Sequence, residues 1–126
     1  MSEQTLHKGL TPERWNRFPL ERRLGMIASE FLRASRLAAD DDGPAYVQPC
    51  YERARELLTW TLPVSPADNS LGRRLEIALR MIDETDWARW ESKRVVAHSQ
   101  ALAELVTPAV VAVPGTEGTG RANRSR

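Results

Sequence analysis

The chain has 126 residues, 41% hydrophobic and 28% charged, with a formal net charge of +1. That size and balance fit one globular domain with a modest core, and exclude a global field that would draw in nucleic acid or an anionic membrane. The single cysteine, Cys50, excludes an intramolecular disulfide, and no apolar run nears the roughly 20 residues that span a bilayer.

Residues 1–10, MSEQTLHKGL, are polar and without apolar periodicity. They read as a loose lead-in with no signal-peptide core, so the cytoplasm is the expected compartment. Helix signals then appear twice in LTPERWNRFPLERR, Leu10 to Arg23. Thr11 is a natural N-cap, Pro12 suits the first helical position, and Glu13 favours the positive end of the helix dipole. A residue before proline disfavours the α conformation, so Phe18 before Pro19 should stop this helix near Arg17. The first signal therefore predicts a short elbow, pinned by Trp15 and Phe18, and the second predicts the start of a long helix.

That first long helix is expected from Pro19 to about Ala39. Its apolar stripe comprises Leu20, Leu24, Ile27, Ala28, Phe31, Ala34, Ser35 and Ala38. Gly25 inside it costs about 1 kcal/mol against alanine, which suggests close approach of another helix. The run DDDGP, Asp40 to Pro44, ends the helix. A second long helix follows from Ala45 or Pro49 to Trp60, with Val47, Cys50, Tyr51, Ala54, Leu57, Leu58 and Thr61 inward. LPVSPADNS, Leu62 to Ser70, reads as a loop.

A third long helix starts near Asn69 or Ser70 and turns Leu71, Leu75, Ala78, Leu79 and Ile82 inward. In DETD, Thr85 or Asp86 should cap a fourth, from Trp87 to about Val106. Beyond Thr107 the composition shifts. Residues 107–126 have no period and carry a net charge of +2, against −1 for residues 1–106. They read as a disordered basic tail. The expected fold is all-α: an antiparallel up-down four-helix bundle over residues 11–106, preceded by the elbow.

No catalytic constellation or cofactor motif stands out. His98 lacks a metal-ligating neighbour three or four positions away, and the Glu-x-x-His of di-iron bundles fails because Val95 holds the glutamate position. Cys50 lies on an apolar stripe, as inert buried thiols do. Counting back from Gly43 puts Ala38 at the first ligand position of a calcium loop, so DDDG is a solvated helix end.

Two features point to macromolecular binding. Trp87 and Trp90, three apart, either cover the end of the bundle near the elbow or serve as an interface anchor. The fourth helix is apolar along two lines: Val95, His98, Leu102 and Leu105, then Ala88, Val96, Ala103 and Val106. A helix apolar on two sides needs a second neighbour, so Val96 and Val106 are expected at a contact with a partner. The leading expectation is a non-enzymatic helical bundle that binds a protein partner or a second copy of itself. Nucleic acid is the alternative partner, held by Arg89, Arg94, His98 and the tail residues Arg121, Arg124 and Arg126, with the tryptophans as a stacking platform. The basic residues are nearly all arginine, which suits phosphate, but they are interleaved with acids. A third reading is a nuclease-like enzyme centred on Arg94 and His98, one helical turn apart, which requires a cleft beside His98.

Overall fold

The computed structural model describes residues 9–62 and 69–107. Within them the chain is helical and without strands. The elements are α1 (Pro12–Trp15), α2 (Leu20–Ala39), α3 (Pro44–Thr61), α4 (Asn69–Asp83) and α5 (Ser92–Val106). The tail expected to be disordered, with Arg121, Arg124 and Arg126, lies outside the described residues, apart from Thr107.

The elbow forms where its proline signals lie. Thr11 is the N-cap of α1 and its hydroxyl accepts from the Arg14 amide at 3.1 Å. The helix lasts one turn and stops at Trp15, two residues earlier than the pre-proline rule alone requires. Pro19 then stands at the N-cap of α2, which begins at Leu20. Trp15 is fully buried and its indole N–H donates to Thr61 Oγ1 at 2.8 Å, at the end of α3. Phe18 packs edge-on against it, centroids 6.2 Å apart, and remains partly exposed. Arg23 completes the joint. It is buried, donating to Phe18 O at 3.0 Å and to Asn16 Oδ1 at 2.6 Å, while Asn16 Nδ2 reaches the Trp60 carbonyl.

Helix α2 packs most extensively, on α3 along one side and on α5 along another. Helix α4 touches α3 and α5 more lightly. The core between them includes Leu24, Ile27, Phe31, Val47, Tyr51, Leu57, Leu58, Leu75, Leu102 and Val106, all at 2% exposure or less. Complete burial of one large apolar side chain contributes about 1.5–3 kcal/mol. Small residues on facing helices, Ala34, Ser35 and Ala38 on α2 with Ser99 and Ala103 on α5, are buried as well.

Three sequence expectations change. The fourth long helix begins at Ser92, not Trp87, and Glu91 is its N-cap. Asp86 does cap, but it caps a turn, accepting from the Ala88 amide at 3.1 Å. Second, the first apolar line of α5 and the Ala103–Val106 part of the second are met within the chain, while Val96 stays partly exposed and Ala88 is exposed and precedes the helix. Leu102 and Val106 are fully buried and Val95 and Ala103 nearly so, because α2 covers one side and α4 another. Third, Gly25 accommodates no helix of its own chain: it is exposed, and nothing lies within 4 Å of where its Cβ would be.

Candidate functional site

Helices α4 and α5 are joined by a turn, residues 84–91, that brings most of the chemically interesting side chains together. Trp87 and Trp90 stack at 6.5 Å between centroids, with an interplanar angle of 18°. Both are partly buried against the core. Trp87 makes the connection, its ring edge-on to Tyr51 at 5.0 Å, and Tyr51 in turn is edge-on to Phe31 at 5.8 Å. Local propensity would permit helix at Trp87; leaving the helix lets its ring reach Tyr51. Neither indole N–H of this pair finds a hydrogen-bond partner among the described residues.

Tyr51 also holds His98. Its hydroxyl lies 2.7 Å from His98 Nδ1, and the two rings stack at 5.7 Å. Burial pushes the Tyr51 phenol well above its ordinary value, so it keeps its proton. Burial pulls His98 below its ordinary value, so the ring is neutral at pH 7. Two proton arrangements satisfy the pair. Either Tyr51 donates to Nδ1 and Nε2 carries the hydrogen, or Nδ1–H donates to Tyr51 and Nε2 is a free acceptor. Sequence reasoning selected His98 but not Tyr51, which is 47 positions away.

Beside His98 is a cleft of about 210 Å³, lined also by Glu84, Asp86, Arg89 and Arg94. Its charges are mixed. Arg89 lies 3.8 Å from Asp86, and Arg94 lies 3.8 Å from Glu91, all four side chains being well exposed. Each arginine thus has a carboxylate three positions before it, which offsets its field in salt water.

The other expected interface residues separate. Val96 is partly buried and faces a shallow hollow with Asp41 and Lys93. Val106 is in the core and not on this surface. Ser92, at the start of α5, donates to the Ala38 carbonyl at the end of α2 and ties the turn to that helix. Cys50 is buried, with Arg53 donating toward its sulfur at 3.5 Å and Glu30 holding Arg53 at 3.2 Å. Desolvation raises the thiol above its ordinary value, so the protonated, unreactive form prevails. Among the described residues no group of three or more His, Cys, Asp or Glu side chains is placed to hold a metal ion, and no helix is long and apolar enough to cross a membrane. Comparison of the chain with family models, with curated proteins and with solved structures finds no match.

Proposed function

We propose that this chain is a non-enzymatic, cytoplasmic helical bundle that works by binding a protein partner through the Trp87–Trp90 turn. The bundle is read as antiparallel and up-down. Two end contacts support that order: Ser92 at the start of α5 on Ala38 at the end of α2, and Arg74 early in α4 on the carbonyls of Leu105 and Thr107. The observation that carries the functional reading is the stacked tryptophan pair. It is anchored to the core through Tyr51, is partly exposed, and spends neither indole donor on a described residue. A rigid aromatic pair with free donors in a ring of mixed charge is the composition of an interface anchor with a polar rim.

Nucleic acid is the weaker partner. The arginines that would meet phosphate, Arg89 and Arg94, each stand beside a carboxylate, and Glu84 and Asp86 line the same cleft. One observation favours the nuclease-like reading: the cleft beside His98 with Arg94 on its wall. In the arrangement with Nε2 unprotonated, His98 has a base directed away from Tyr51.

The test is recovery of partners by cross-linking in the native host, with the full chain and Trp90→Ala side by side, each with and without nuclease. Protein bands that survive nuclease and vanish with Trp90→Ala support the proposal. Bands lost to nuclease in both chains favour nucleic acid. Phosphodiester cleavage that disappears with His98→Ala favours the enzyme.

A further inference from the structure

Helix α2 has an outer face that no other described element covers. Gly25, Ser29, Leu32 and Arg36 follow one another at spacings of four, three and four along it, and Leu32 is 50% exposed. Arg22 and Asp40 stand at its two ends. They are eighteen positions apart, about five full turns, so they share one azimuth on the helix. Both are exposed, as are Glu21 and Arg36, and none of these four makes an ion pair with a described residue. Arg22 is placed by its contact over the Phe18 ring, at 4.7 Å.

Two details on this face run against the stability of the isolated helix. Gly25 has helical geometry without a positive φ and has open space around it, so alanine would serve the helix better. Asp40 and Asp41 place acids at a helix C-terminus, where the dipole disfavours them. Both details acquire a purpose if another helix lies against the face.

We propose that the outer face of α2 pairs antiparallel with the same face of a second copy of this chain. A two-fold axis near residue 31 sets Arg22 against the second copy's Asp40, and the reverse, forming two opposite-charge pairs at the ends. At the centre Leu32 lies over the second copy's Ser29, and the side chain of Arg36 crosses the second copy's Gly25 toward its Glu21. Arg22 and Asp40, of opposite sign at one azimuth and equidistant from residue 31, are related as self-complementarity across a two-fold axis requires, and Arg36 and Glu21 offer a second opposite-charge match. A run of nucleic acid would meet the carboxylates of Asp40 and Asp41 at one end. One helix pair buries less than the roughly 800 Å² per partner of a standard interface, so dissociation is expected at about 10–100 µM.

Sedimentation equilibrium of the full chain from about 5 to 500 µM spans this range. Arg22→Glu and Asp40→Arg each place like charges at both ends and should weaken the dimer by about tenfold or more. The double variant Arg22→Glu/Asp40→Arg reverses both pairs and should return to within about threefold of the parent. Both positions are exposed, and circular dichroism checks that each variant folds. A parent that stays monomeric throughout, single variants that dimerise like the parent, or folded variants without rescue in the double would each overturn the proposal. So would binding of a short RNA by a monomeric parent that is lost with Arg22→Glu. Trp90→Ala should leave the dimer unchanged, which separates this surface from the Trp87–Trp90 turn.

Discussion

Two aromatic pairs, each with three-residue spacing, have opposite fates. Trp15 and Phe18 meet at 80°, and the tryptophan is fully buried with its N–H on Thr61. Trp87 and Trp90 meet at 18°, stay partly exposed, and spend neither N–H within the described residues. The difference lies in what each pair faces. The first covers the joint between α1, α2 and the end of α3, where the last turn supplies a buried hydroxyl acceptor. The second stands on a turn beside charged side chains, with both rings only partly covered by the core. Spacing and residue type do not distinguish an aromatic that closes a core from one that is offered outward; the presence of a buried partner for the polar atom does.

The contrast can be broken most directly by truncation. Trp15→Ala should lower stability by about 3–5 kcal/mol in denaturant titration, since a large side chain leaves a closed site. A loss below about 1 kcal/mol would put the elbow outside the cooperative unit. Trp87→Ala should cost less, about 1–3 kcal/mol, because only part of its ring is covered.

Acid should act on the second pair alone. Burial keeps the folded His98 pKa below its ordinary value of 6.5, so in mild acid the unfolded chain takes up a proton that the folded chain refuses. The stability associated with this neutral ring is full above that value. It is lost as pH falls through it, down to the lower folded-state pKa. Tyr51 follows from α3, and Glu84, Asp86, Arg89 and Arg94 are the charged groups sharing the cleft. Trp87 and Trp90 fluorescence should change in the same pH window, and His98→Gln should flatten both profiles. An unchanged acid slope in that variant would locate the titration elsewhere. The smallest effect concerns the charged rim: Arg94→Ala should alter stability by no more than about 0.5 kcal/mol, because the Glu91 pair is exposed.

Helix existence was legible wherever a local signal sufficed. Thr11-Pro12, Pro19 and the DDDGP stop each act through backbone sterics and capping within a few residues, and beside them α1 and α2 begin, α2 ends and α3 begins. The start of α5 was not legible, because two capping signals compete. Asp86 is used on a turn, while Ser92, a better cap by type than Glu91, gives its hydroxyl to the Ala38 carbonyl. That choice is tertiary. The same applies to the second apolar line of α5. A count of four helices suggested an uncovered side, whereas α2 and α4 together cover Leu102, Ala103 and Val106. Of the candidate site, Trp87, Trp90, Arg94 and His98 were visible by residue type. Tyr51, which holds Trp87 and His98, read as one more stripe residue because its role depends on contacts 36 and 47 positions away.

The Arg23–Asn16–Trp60 chain has a consequence for the order in which the molecule opens. Through it the residue after α1, the first turn of α2 and the last turn of α3 share polar contacts, and Trp15 spans the same junction. Opening any one of these ends exposes a buried guanidinium and an indole together, so α1, α2 and α3 should exchange their amide hydrogens as one slow unit. Helix α4 packs more lightly, and its polar ties, Arg74 on the last carbonyls of α5 and the exposed Arg55–Asp83 pair to α3, bury no indole, so it should release first. The chain would then behave as a firm helical hairpin with α5 laid along it, and with a fourth helix that breathes.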